Sequence, residues 1–285
     1  MQVCLIQVPY AMGHQDNGGS KGALRLVQAG AQKLLEARGL EVATSRIERG
    51  TPFRDTATAS RAVNTQLARC VRQTHASGQL PLILAGSCDA SLGILAGFEH
   101  ARCGVVWVDA HADFNTPDST ASGFFAGMSL AILTGHCYRQ YWAQIGESTP
   151  IAERAVLLVG VRDLSPAAER ERLHRSAIQV VSWQEGKPQE QVLACVETLR
   201  ERVQEVYLHL DLDALDPQLA PGLVDEPVPG GLSLPQVEEI VRAVAARFQF
   251  RAVALTTYNP ECDQEEQTLR TGLRLIDLLA ECMSL

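Results

Sequence analysis

The chain has 285 residues, 46% hydrophobic and 20% charged, which is ample for one large α/β core. Its net charge of -8 offers no basic footprint for nucleic acid or anionic lipid. Eight scattered cysteines without CxxC spacing read as reduced thiols of a cytoplasmic protein, and no apolar run reaches membrane-spanning length.

In chain order, apolar runs of strand length alternate with amphipathic stretches of helix length. The pattern predicts strand 3–8, helix 22–38, strand 40–45, helix 57–77, strand 81–85 and helix 90–102. It continues with strand 104–109, helix 127–134, strand 155–161, helix 167–176, strand 178–182, helix 189–201, strand 206–211, helix 234–247, strand 252–255 and helix 265–280. Such alternation predicts a three-layer α/β/α fold around a mostly parallel sheet of about eight strands, with residues 1–285 as a single domain. The first residues lack a basic leader and a cleavage site, so they are expected to form strand one and not a signal peptide. A glycine-rich loop, Gly13 to Ser20, has neither GxGxxG nor Walker spacing, which argues against nucleotide binding.

Two strand ends carry chemistry. Val105-Val-Trp-Val-Asp109-Ala-His111-Ala-Asp113 closes an apolar run with three metal-competent side chains spaced two apart, which share one face of extended backbone. Val206-Tyr-Leu-His209-Leu-Asp211-Leu-Asp213-Ala-Leu-Asp216-Pro217 repeats the device with carboxylates at i and i+2. A single Asp-x-Asp is most often an ordinary turn. Both motifs at the carboxyl edge of one sheet would gather four carboxylates and an imidazole, whose mutual repulsion requires cations. Hard or borderline divalent ions take such donors, and two of them about 3.5–4 Å apart can share carboxylates.

These motifs resemble those of the ureohydrolase superfamily, the arginase and agmatinase fold. Further matches follow in order: Ser122-Gly123, Gly127-Met128, Val159-Gly-Val-Arg162-Asp163, Pro227-Val-Pro-Gly230-Gly231-Leu-Ser233 and Tyr258-Asn259-Pro260. The resemblance spans most of residues 80 to 263. It implies two Mn2+ ions, with Asp109 and Asp211 bridging, Cys88 and Asp113 completing one site, and His111 and Asp213 completing the other. It also implies attack of a bridging hydroxide on the trigonal carbon of a guanidinium or related amidine. Asp113 and His111 are then the catalytic candidates.

Three departures set the chain apart. Cys88 stands in Leu84-Ala-Gly86-Ser-Cys88-Asp-Ala-Ser, where the family carries its first histidine ligand; this is similar to the cysteine-variant N-omega-hydroxy-L-arginine amidinohydrolase type. Ala126 replaces a proton-shuttling histidine, and Thr257 replaces a glutamate that grips the guanidinium. A thiolate at Cys88 adds a negative charge where imidazole adds none. Either the bridging water becomes less acidic, or a softer ion such as Zn2+ is favoured there, or the thiol stays protonated and that ion binds loosely. Cys88 also reads as a small buried residue at a strand end.

The substrate-binding candidates are Asn115, Ser122, Thr257 and Glu226. Asn115 and Ser122 match positions that hydrogen-bond an amino-acid α-carboxylate in the family, although Asn115-Thr-Pro117 is also a turn former. Ser165 stands where the family places an acid for the α-amino group. Among loop acids, Glu226 is one that could replace the missing glutamate. His209 reads as support behind Asp211 or as a core histidine, and Asp216 as a turn residue. The reading is a metal-dependent hydrolase of a small linear amidine or modified guanidino compound, N-hydroxyarginine-like. The alternatives are an agmatinase- or formimidoylglutamase-like hydrolase, and a catalytically silent metal-binding relative with a regulatory role. Nucleic acid and membrane are excluded as partners, and a homo-oligomer is left open.

Overall fold

The computed structural model describes all residues except 49–54, 101, 147–148, 183–187, 224–226 and 285. Its frame is one sheet of eight strands: β1 (Gln2–Val8), β2 (Glu41–Arg46), β3 (Leu80–Ala85), β4 (Cys103–Val108), β5 (Val156–Val159), β6 (Gln179–Val181), β7 (Glu205–Asp211) and β8 (Gln249–Thr256). Their spatial order is β2-β1-β3-β8-β7-β4-β5-β6, and every pairing is parallel. The expectation of a mostly parallel sheet is thus met in full.

The helices are α1 (Gly22–Gln28), α2 (Ala31–Ala37), α3 (Thr56–Ala76), α4 (Ala90–Leu95), α5 (Ser129–Leu133), α6 (Arg139–Ile145), α7 (Ala167–Arg175), α8 (Pro188–Arg200), α9 (Leu234–Ala245) and α10 (Gln267–Ser284). Two apolar cores result, because a strand buried on both faces sends successive side chains to opposite sides. Val3 and Leu5 of β1 join α1, α2, α8, α9 and α10. Cys4, Ile6 and Val8 join α3, α4, α5, α6 and Leu173 of α7.

Three helices differ from expectation for local reasons. The stretch 22–38 is divided because Gly30 adopts φ 110°, a left-handed conformation that interrupts the helical hydrogen bonds. The stretch 90–102 stays helical only to Leu95. Beyond it Gly97 lies so close to α3 that a Cβ would meet Val71 at 2.6 Å, and the His100 ring hydrogen-bonds the Leu95 carbonyl at 3.0 Å. The short α6 was not expected; Trp142 and Ile145, three apart, bury one side of its seven residues.

Parallel strands bring all carboxyl ends to one edge. Val108 is in register with Leu210 and Asp211 with Thr256, so Asp109, Asp211 and Thr257 leave the sheet side by side. Ala85 is also in register with Thr256, which brings the β3 end and Cys88 to the same edge.

Candidate metal centre and its cavity

The side chains of Cys88, Asp109, Asp211 and Asp213 are buried, and His111 is partly open, at 27% side-chain exposure. They form two donor sets that share Asp109. An outer set contains Asp109, His111 and Asp213; an inner set contains Cys88, Asp109, His209 and Asp211. Within each set, one potential donor atom per residue lies within 4.8 Å of all the others.

Backbone groups fix the carboxylates. Asp109 Oδ1 accepts from the His111 amide at 2.7 Å, and Asp109 Oδ2 from Trp107 Nε1 at 2.8 Å. Asp213 Oδ1 accepts from the Ala110 amide at 3.1 Å, tying the two motifs together. Asp211 accepts from the Asp213 amide at 2.8 Å, from Cys88 Sγ at 3.0 Å and from Thr256 Oγ1 at 3.1 Å, and also from Thr257 Oγ1. His111 Nδ1 stands 3.0 Å from Asp213 and 3.4 Å from Asp109.

The electrostatics follow from burial. Desolvation, with Asp213 beside it, pushes Asp211 up to about 7. Desolvation also raises Asp109 and Asp213, each with help from a neighbouring carboxylate, and raises Asp113 well above the usual carboxylate range. Burial and the charges of Asp113, Asp211 and Asp109 raise the Cys88 thiol. Burial lowers the basicity of His111, but the hydrogen bonds and charges of Asp109 and Asp213 outweigh it and hold the imidazole strongly basic. Asp113 has a left-handed backbone, φ 49°, and its buried Oδ2 has no hydrogen-bond partner. Acids crowded together in the dry end of a sheet, with a carboxylate oxygen left unpaired, are a donor set that fits divalent cations.

The loops around these donors are held from outside. Arg162 Nη2 donates to the carbonyls of Asp213 at 2.8 Å, Leu215 at 3.2 Å and Val228 at 2.8 Å, and Nη1 donates to Ala214 at 3.1 Å. It is therefore a clamp on the second metal motif and not a side chain directed at substrate. Asp216 accepts from the Gln218 and Gly230 amides, the turn role its sequence context predicts. At Gly231 a Cβ would lie 2.4 Å from the Leu215 backbone, so only glycine lets the two loops meet.

A cavity of about 330 Å³ opens onto His111 and Asp113. Asn115, Ser122, Asp163, Ser165 and Glu169 are among its lining residues. Asn115 Nδ2 donates to the Ser165 carbonyl at 3.3 Å. Thr257 takes a different place from the other substrate-binding candidates. It is 3% exposed, adopts φ 67° and turns its hydroxyl onto Asp211, so it backs the carboxylates and does not line this cavity. Glu226 lies outside the described residues.

Two residues gain importance only here. His209, a member of the inner set, has Nδ1 tied to Tyr207 and Ser91, and its Nε2 is left without a hydrogen-bond partner. The i, i+2 spacing to Asp211 was the one sequence signal for it. Glu169, 3% exposed, accepts from the Phe114 amide at 2.9 Å, and burial pushes it up to about 7. No sequence signal marked it, since an acid in the first turn of a helix is ordinary.

An all-parallel α/β/α sheet with buried carboxylates, imidazoles and a thiol at its carboxyl edge defines a metal-dependent hydrolase of the ureohydrolase type. Comparison with known proteins agrees. The Arginase family profile matches residues 1–281. An arginase of Bacillus caldovelox is 30% identical over 292 residues, covering 97% of each chain, and one of Brevibacillus brevis is 30% identical over 293 residues, covering 95% of each. The solved Bacillus caldovelox arginase superposes with a TM-score of 0.89 at 29% identity, covering 99% of this chain and 97% of that one. The chain belongs to the arginase family, and is with it a binuclear-metal hydrolase acting on C–N bonds of linear amidines.

Proposed function

We propose that this protein hydrolyses a modified guanidino compound of the N-hydroxyarginine kind at two divalent ions. Residues 1–285 act as one unit in this reading. Cys88, Asp109, Asp113 and Asp211 would hold one ion, and Asp109, His111, Asp211 and Asp213 the other. The observation that carries it is that His111 of the outer set opens, beside Asp113, onto a cavity lined by Asn115, Ser122 and Glu169, while the buried inner set joins the outer one through Asp109. Manganese is the expected ion of the outer set, and zinc is an alternative beside Cys88. When bound, the ions make hydroxide available near neutral pH and polarise the amidine.

The chain's own residues do the rest. Asn115 and Ser122 supply donors for an α-carboxylate, while Asp163 and Glu169 supply acceptors for an α-ammonium. Asp113 lines the cavity beside His111, where its carboxyl group can take up a proton and pass it to the departing nitrogen. The substrate preference rests on two positions. Thr257 offers no carboxylate to a guanidinium and spends its hydroxyl on Asp211, and Ala126 has no proton to give. A hydroxylated head group, with a less basic nitrogen, needs both groups less.

The test is turnover by manganese-loaded protein on N-omega-hydroxy-L-arginine, L-arginine, agmatine and formimidoylglutamate, followed as hydroxyurea, urea, ammonia and formamide. The hydroxylated substrate is expected to lead. L-arginine should trail a typical arginase by about several hundredfold, the effect of a missing charge partner worth a few kcal/mol. Arginase-like urea release refutes the preference, preferred release from agmatine or formimidoylglutamate establishes the corresponding alternative, and no turnover on any substrate leaves a silent metal-binding relative. A cytoplasmic setting fits this reading, as the cysteines among the described residues are all free thiols and no described helix is long and apolar enough to cross a membrane.

A further inference from the structure

The inner donor set contains an imidazole where the sequence motifs place none. His209 is fully buried, at 0% exposure. Its Nδ1 lies 2.9 Å from the Tyr207 hydroxyl and 3.2 Å from Ser91 Oγ, and its ring stacks on Trp107 with centroids 3.7 Å apart and planes 17° from parallel. Position, ring plane and one nitrogen are therefore fixed. Nε2 is left with no hydrogen-bond partner, and the residue belongs to a donor set with Cys88, Asp109 and Asp211. Buried polar atoms are rarely left unpaired, and this one demands an occupant.

We propose that His209, through Nε2, is a ligand of the inner ion, so that the imidazole missing from the β3 loop at position 88 is supplied instead from β7. This rests on the two-ion reading above and adds a ligand to it. With its proton on Nδ1, shared with the Tyr207 or Ser91 oxygen, the ring would keep the Nε2 lone pair free for a cation, the form that metal-binding histidines take. His209 and Asp211 are two apart on one strand and so present their side chains to the same face. Asp109 is held by Trp107 Nε1, and Trp107 is also the ring on which His209 stacks, so one residue aligns two donors. A set of one sulfur, one imidazole and two carboxylates favours borderline ions such as zinc or cadmium over manganese.

The test uses the full chain with its seven histidines labelled with nitrogen-15 and loaded with cadmium-113. Two imidazole nitrogens coupled to cadmium are expected in the unmutated protein, one from His111 and one from His209. His209→Gln should abolish one coupling. In manganese dialysis it should weaken the second equivalent by no less than the about 10–100-fold that even outer partners of metal ligands cost. A single coupled imidazole, lost in His111→Gln, overturns the assignment of His209 while leaving the two-ion reading intact. Absence of any bound cadmium or manganese overturns both. The coupling count in the unmutated protein decides the matter even if the substituted chain does not fold.

Discussion

The two donor sets share Asp109 and lie on the same sheet edge, yet they are built differently. The outer one keeps the residue types the family motifs prescribe, and its histidine opens onto the cavity at 27% exposure. The inner one, Cys88, Asp109, His209 and Asp211, is buried throughout and holds one of the chain's departures, Cys88. In the outer half His111 forms part of the cavity wall, so a change there alters the space offered to substrate. In the inner half a change of donor is screened from substrate by the fold and is felt as altered charge and softness of the ion. The contrast shows where such an enzyme can vary its metal chemistry without rebuilding its cavity wall.

The largest expected effect comes from removing what the halves share. Asp109→Ala should abolish binding of both ions and lower kcat/KM by about 1,000-fold or more, since the loss of a group needed at the transition state amounts to several kcal/mol. Elemental analysis after manganese loading measures it; retention of two equivalents would show that the cluster is wrongly assigned.

A smaller change should separate the halves. Cys88→His replaces a thiol by a neutral donor suited to harder ions, so manganese occupancy of the weaker position should rise and the alkaline limb of activity should move to lower pH. Cys88→Ala should lower occupancy of that position alone. If neither substitution alters stoichiometry or the pH profile, Cys88 is packing and the contrast between the halves loses its sulfur.

The smallest effect concerns the cavity wall. Burial lifts Glu169 to about 7, from 4.5 in an exposed chain, so protonation is favoured in the folded state. The sign follows by linkage: its contribution to stability is present below about pH 4.5 and is lost as pH rises through 7. In Glu169→Gln the fall in melting temperature of metal-free protein between these values should therefore be shallower than in the parent. An unchanged slope would mean that Glu169 is ionised throughout and already paired.

The sequence carried the fold well because burial on both faces writes β-strands as short continuous apolar runs, and all eight expected strands are present. It carried the helices less well. The break at Gly30 and the early end at Leu95 depend on close contacts and a left-handed backbone that periodicity does not encode. For the centre, Asp109, His111, Asp211 and Asp213, which the fold brings together in the two donor sets, could be singled out because their i, i+2 spacing is local, whereas Asp113 lines the cavity and falls in neither set. Thr257 was legible as a substitution, but its turn toward Asp211 was not.

What the sequence determined by itself was therefore the identity of the acids at two strand ends and the class of ion they can hold, since charge and spacing are local properties. Only the tertiary structure decided that Cys88 and His209, 121 positions apart by their numbers, belong to one buried set, and that Glu169 of α7 borders the same cavity as Asn115. The physical reason is the parallel sheet. Crossovers separate its strands widely in the chain, while register brings their carboxyl ends together.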